Sequence, residues 1–301
     1  MFHVVERVED EVPPMVALAV AVVAVSTSAI LVELSYAPSI IKAFYRVLFT
    51  TLLLAPLAVT RYRADLRTFS RRDLLVAIVT GGALACHFVA WFESLEWTTV
   101  AASVTLVQSQ PLFVAFGAWA LLDERVTRRT VAGILVALVG MVAMSLGGLL
   151  SGAVVAGQRP LYGNALAVVG AIAAAGYVLA GRSLRQRVSL VPYVTVVYGV
   201  CTVVLFGVAL AGDAPVALTA YRPTEWLLFL AMAVGPGIFG HTVINWALKY
   251  VESSVVSVSL LGEPVGSTLL ALAILGEVPG IATVAGGLVV LGGIYVTSTA
   301  R

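Results

Sequence analysis

Ten stretches of this chain are each long and apolar enough to cross a bilayer, and little sequence is left between them. A membrane helix needs about 20 apolar residues. The stretches run roughly over 15–34, 40–60, 73–93, 98–122, 129–149, 161–181, 192–212, 225–247, 252–275 and 281–299. The narrowest gaps are SLEWTT (94–99) and LKYVES (248–253). The pattern predicts an all-α integral membrane protein of ten transmembrane helices, preceded by a tail over residues 1–14.

Composition bears on what surrounds such a chain. Of its 301 residues 60% are hydrophobic and 11% charged, and the mean hydropathy is +1.01. A soluble domain carries roughly 25% charged residues. A surface so poor in charge is solvated by lipid, so the bilayer is an obligatory partner. A net charge of +2 argues against a nucleic-acid partner. The acidic N-terminal stretch MFHVVERVEDEVPP lacks the positive start of a secretory signal, so no cleaved leader is expected. Cys86 and Cys201 fall inside apolar runs and are expected to pack as buried thiols rather than form a disulfide or metal pair.

The basic residues test the span count independently. Arg61, Arg63, Arg67, Arg71 and Arg72 fall in one loop, Arg125, Arg128 and Arg129 in another, and Arg182, Arg185 and Arg187 in a third. With Arg7, Lys249 and Arg301 they lie on one side of a ten-span chain, leaving Lys42, Arg46, Arg159 and Arg222 on the other. By the positive-inside rule the crowded side is cytoplasmic, so both termini are expected there, in a multi-pass protein of the plasma membrane.

The chain also repeats itself. SLEWTTVAASVTLVQSQPLFVAFGAWALLDE (94–124) aligns without a gap on ALKYVESSVVSVSLLGEPVGSTLLALAILGE (247–277), at an offset of 153. Pro111 lies on Pro264, Ala118 on Ala271, Leu122 on Leu275 and Glu124 on Glu277. The register continues, with TVAG (130–133) on TVAG (283–286) and Gly140 on Gly293. Each half, 15–150 and 160–299, holds five spans. Because five is odd, the second half enters the membrane upside down. Inverted repeats around a midplane site made of interrupted helices characterise secondary transporters.

These paired segments, each ending in a Gly/Asp-Glu step, resemble the EamA repeat of the drug/metabolite transporter superfamily. So do AFYRVLFTTLLLAP (43–56) and YGNALAVVGAIAAAGYVLAGRSLR (162–185). The resemblance covers about residues 15–299. It implies a ten-helix carrier, with both termini in the cytoplasm, that moves amino acids or other small metabolites. It also implies a central cavity lined by the first four helices of each half, with the fifth and tenth peripheral. The halves differ chemically, since Gln110 stands where the second half has Glu263.

Polar residues inside the spans are the candidate substrate-binding set. A helical proline deprives the carbonyl four residues back of its partner, here Val107 for Pro111 and Leu260 for Pro264. In hydrocarbon such a carbonyl must face protein, water or ligand. The break either binds and gates or only shapes packing. Glu263 is the sharpest candidate, because a charge at mid-bilayer costs roughly 2.5–3.5 kcal/mol. Ser259, Glu263 and Ser267 follow at i, i+4, i+8 and form one polar stripe. Glu263 is expected either to line the cavity, meeting a cationic substrate group or a proton, or to be a fixed structural acid.

In GPGIFGHTVINWALK (235–249), Pro236 and three glycines loosen the backbone, and His241, Asn245 and Lys249 share a face. That suits a gate or a cavity wall. His87 and Trp91 share a face, as an aromatic wall or as packing between helices. Arg46 is expected to meet a substrate carboxylate or Glu33, or else to reach the interface. Tyr177 and Tyr198 are further cavity candidates. Ser26, Thr27 and Ser28 are weaker ones, because hydroxyls often bond back to their own helix. Gly133, Gly140, Gly286 and Gly293 mark either packing within the bundle or a seam between two copies of the chain. Glu124 is read as a solvated partner of Arg125, Arg128 and Arg129.

Enzyme chemistry finds little support. The three His and two Cys show no metal-ligand spacing, so no metal or other cofactor is expected. No Walker-type loop is present, which sets ATP aside as the energy source. The expected function is secondary transport, with export favoured, of a small metabolite by alternating access. The rivals are an uncoupled pore, a lipid-translocating protein and a non-transporting subunit.

Overall fold

A computed structural model of the chain describes residues 12–98, 100–150, 159–276 and 278–300. Among them there is no strand. Nine helices meet the length and apolarity of a membrane crossing: α1 (Pro14–Glu33), α2 (Ser39–Thr60), α3 (Arg71–Trp97), α4 (Ala102–Leu121), α6 (Pro160–Arg185), α7 (Leu190–Ala211), α8 (Pro223–Ala247), α9 (Ser253–Ile274) and α10 (Ile281–Ser298). The remaining one, α5 (Arg128–Leu150), is a helix of 23 residues. The chain is a multi-pass membrane protein.

The helices follow the apolar runs to within a few residues, with two informative exceptions. At its end α3 runs on through the polar FESLEW, and α6 through GRSLR. Hydropathy marks the lipid boundary, whereas the helix ends only where its backbone bonds do. Large apolar side chains such as Val20, Leu53, Val79, Val139, Val203 and Leu288 point outward from the bundle. Cys86 is also exposed, on the outside of α3, contrary to the buried thiol expected; Cys201 is buried. Removing such apolar surface from water is what makes lipid the stable surrounding.

The two halves interlock through equivalent contacts. α3 packs on α6, and α8 on α1. α4 meets α6, and α9 meets α1. α2 crosses α7, and α5 lies along α10. The last pair resolves the question of the glycines. A Cβ on Gly133 would lie 2.9 Å from the carbonyl oxygen of Gly293, and one on Gly293 would lie 2.6 Å from that of Gly133. Gly140 and Gly286 face each other in the same way, at 2.7 and 2.6 Å. Under the offset of 153, Gly133 corresponds to Gly286 and Gly140 to Gly293. Each contact is thus the mirror of the other about a pseudo-two-fold axis, and numbering rises on α5 as it falls on α10. The four glycines serve an intramolecular seam between the halves, where small residues let backbones touch.

Buried Ile134, Ala137 and Met141 of α5, with Val290 of α10, join Ala115 of α4 and Val258 and Leu261 of α9 in one apolar core. A larger core fills the space among α1, α2, α3, α6, α7 and α8. The bundle has a terminal end, where α1 begins and α10 finishes, and a far end.

The interrupted helices behave differently from the expectation. In α4 the helix stops at Val107 and a new one starts at Gln110. In α9 a 3₁₀ turn over Leu260–Gly262 separates Ser253–Ser259 from Glu263–Leu270. The break therefore comes before each proline. Pro111 and Pro264 sit in the first turn of the new helix, where a missing N–H leaves no bond unmade. Nor is the Leu260 carbonyl left open, because the Glu263 N–H bonds to it.

α8 carries the other irregularity. Residues Ala233–Thr242 form a π-helical segment containing Pro236. The Thr242 hydroxyl donates to the Gly237 carbonyl five residues back, at 3.1 Å. Such segments are rare and cluster at functional sites. The glycines here permit close approach, since a Cβ on Gly240 would lie 2.5 Å from a Val25 methyl.

Candidate functional site

Glu263 opens the second half of α9 and is half-buried. It sits at a helix N-terminus, where the backbone dipole favours a negative charge. Among the described residues its carboxylate accepts no hydrogen bond. Only its backbone is engaged, the carbonyl taking a bond from the Ser26 hydroxyl at 3.1 Å. Gln110 opens the second half of α4 in the same way, is buried, and likewise has no side-chain partner among the described residues. Ser267 donates to the Ser26 carbonyl at 3.0 Å, tying α9 to α1. Ser259 turns back to the Val255 carbonyl at 2.8 Å. The expected stripe is therefore divided: one hydroxyl joins helices, one serves its own helix, and the acid stands alone.

Arg46 of α2 is 8% exposed. It donates to the Ser28 hydroxyl at 3.1 Å and lies 4.7 Å from the Phe88 ring centroid. The cation over a ring face gains from the quadrupole there. It forms no ion pair with Glu33 among the described residues; the acid whose charge reaches it is Glu263. Lys42 bonds the Val32 carbonyl at 2.9 Å. Arg46, Thr50, Phe88, Tyr198, Gly237 and His241 line a narrow cleft with only about 10 Å³ of internal room. His241 stands edge-on to Phe88, with centroids 6.4 Å apart. His87 stacks on Trp91 at 5.9 Å and bonds the Gly170 carbonyl through Nδ1 at 3.0 Å. The Trp91 indole N–H is buried without a partner. Arg46, Phe88 and His241 thus come together, His87 and Trp91 continue the aromatic wall, and Pro236 holds the π-helical backbone beside them.

Asn245 and Tyr177 form a neighbouring unit that shares Tyr198 with the cleft. Asn245 is fully buried. Its amide donates to the Tyr177 hydroxyl at 2.5 Å, the Tyr198 hydroxyl at 3.4 Å and the His241 carbonyl at 2.8 Å. Asn245 lies one turn beyond His241 along α8, so the network sits on the terminal side of the cleft. At the far end a cleft of about 500 Å³ opens between α1, α9 and the start of α10, lined by Glu33, Ser267, Thr268 and Thr283.

A further residue departs from its sequence reading. Glu124 does not pair with Arg125, Arg128 or Arg129 in solvent. Its side chain is 8% exposed and its carboxylate holds Arg182 Nε of α6 at 2.7 Å. It also accepts from the Ser253 N–H at 3.0 Å and the Ser253 hydroxyl at 2.7 Å. Its partners lie 58 and 129 residues away, which no local pattern reveals. The Gly/Asp-Glu step did carry a signal. Asp123 and Gly276 occupy equivalent positions and both take the left-handed conformation, with φ of 53° and 72°. Gly, Asn and Asp are the residues that tolerate it. Glu277 lies outside the described residues.

A bundle of inverted halves, with broken helices bringing charge into its middle, defines a membrane transporter. The chain belongs to the EamA-like transporter family, which it matches over residues 13–146 and 161–299. It is 23% identical over 257 residues to an uncharacterized transporter of Archaeoglobus fulgidus, covering 85% of this chain and 86% of that one. It is 25% identical over 236 residues to the uncharacterized transporter YetK of Bacillus subtilis, covering 76% and 69%. A solved crystal structure shares the fold with a TM-score of 0.79 at 23% identity, over 95% of this chain and 96% of that one.

Proposed function

We propose that the protein is a secondary carrier of small zwitterionic metabolites, such as amino acids, exporting them by alternating access. The carrying observation is the coexistence, inside the bundle, of an unpartnered carboxylate at Glu263 and a guanidinium at Arg46. A substrate ammonium suits the first and a carboxylate the second. The Phe88, His87 and Trp91 wall suits the substrate's body. Glu263 also serves as the proton acceptor when the substrate leaves.

The two repeats, 15–150 and 160–299, are the moving parts, and the breaks in α4, α8 and α9 absorb the motion. The closed network around Asn245 supports a carrier over an uncoupled pore. The concentration of Arg at the terminal end supports a plasma-membrane location with that end in the cytoplasm.

A thermal-shift screen of metabolites against the purified protein tests the substrate class, since a ligand of the folded state raises its melting temperature. Amino acids or close relatives are expected among the hits. In proteoliposomes, preloading with a hit accelerates uptake of labelled hit. Linear flux without that acceleration defeats the carrier.

A further inference from the structure

The terminal end is held by an arrangement that the substrate site does not need. Glu124 follows the left-handed Asp123, and its own N–H bonds back to the Ala118 carbonyl at 3.1 Å. This turn ends α4 and leaves the carboxylate facing the second half. There it takes Arg182 Nε and both donors of Ser253, the first helical residue of α9. Arg182 spends its remaining reach on the carbonyls of Leu248 and Lys249, at 2.8 and 3.1 Å. Gln186 of the α6–α7 turn reaches the Lys249 carbonyl at 3.2 Å. One carboxylate therefore fastens α4 of the first half to α6, the α8–α9 turn and α9 of the second.

Other contacts also join the halves at this end, among them the Ser189 hydroxyl on the Asp65 carboxylate. The Arg187–Asp73 pair also joins the halves, at 2.7 Å, but its arginine side chain is 48% exposed. Exposed pairs of that kind contribute little. Glu124 accepts charged and neutral hydrogen bonds out of water, where each is stronger and harder to replace. Arg182 also holds the Leu248 carbonyl, three residues beyond the buried Asn245, so the Glu124 contacts and the Asn245 network meet at the end of α8.

We propose that Glu124 is the latch of the terminal end: a positioning residue that contacts no substrate, keeps that end shut in this state, and must release Arg182 and Ser253 before it opens. The proposal rests on the alternating-access reading, and the experiment separates the two. In a background with Cys86 and Cys201 replaced by Ala, single reporters are placed by Ser257→Cys, buried in the terminal half of α9, and Thr268→Cys, lining the far-end cleft. Both are labelled in nanodiscs with a hydrophilic maleimide, with and without Glu124→Gln. The latch predicts that Glu124→Gln raises labelling at 257 by about tenfold or more, the scale of one lost charged hydrogen bond, and lowers labelling at 268.

Unchanged labelling at 257 overturns the latch. A rise at both reporters also overturns it, because that is what general loosening produces. A rise at 257 with no change at 268 supports the latch and defeats alternating access. Should Glu124→Gln fail to yield folded protein, Arg182→Gln, which removes the same contact from the other side, is read by the same criteria.

Discussion

Glu263→Gln lowers transport about 10- to 100-fold, the loss of one charge-assisted contact, and removes its dependence on pH. Among the ten spans Glu263 is the only carboxylate away from a span end. Its side chain has no partner among the described residues, so a near-isosteric amide leaves the fold intact and removes only the charge. Gln is also what the first half carries at the equivalent position, Gln110, at the start of its own half-helix. That position tolerates an amide structurally. The measurement is initial-rate uptake of a thermal-shift hit between pH 5.5 and 8.5, with size-exclusion profiles to show equal folding. Transport by the Gln variant at the parent rate and with the parent pH profile removes Glu263 from the mechanism.

The second large effect is on folding. Gly293→Leu is expected to prevent assembly of the bundle or to lower its melting temperature by several degrees or more. A Cβ there meets the backbone carbonyl of Gly133 at 2.6 Å, and backbone cannot swing aside as a flexible side chain would. Overpacking costs about 1–3 kcal/mol even where side chains can adjust. Gly292→Leu, one residue away, is the control. Nothing lies within 4 Å of a Cβ at that site, which faces outward. It is expected to be neutral, or slightly stabilising through better helix propensity. Equal melting of the two variants contradicts the seam.

The seam also shows what was legible in the sequence. The offset of 153 pairs Gly133 with Gly286 and Gly140 with Gly293. An inverted repeat then requires contacts to come in reciprocal pairs, as they do between α5 and α10. The span boundaries were legible because lipid imposes a length and a composition on every helix at once. What escaped was whatever depends on the neighbour across a gap.

Spacing of 3.6 residues puts His241 and Asn245 on one face. It does not say that one meets the cleft while the other is taken up by Tyr177 and Tyr198, 68 and 47 residues away. The π-helical segment of α8 was signalled only by its glycines and proline, which loosen a backbone without stating its new hydrogen-bond register. Pro264 drew attention to the correct turn for the wrong reason. It begins a helix after the break, and the residue before it, Glu263, owes its place at a helix N-terminus to the 3₁₀ turn over Leu260–Gly262.

The glycine seam has a consequence for how the chain came together. Because α5 and α10 offer each other the same pattern in reverse, the recognition code for joining the two halves is written in each of them. Residues 13–146 and 161–299, synthesised as separate polypeptides, therefore hold what is needed to find one another in the bilayer. A single half carries in that same surface the pattern required to pair with an inverted copy of itself.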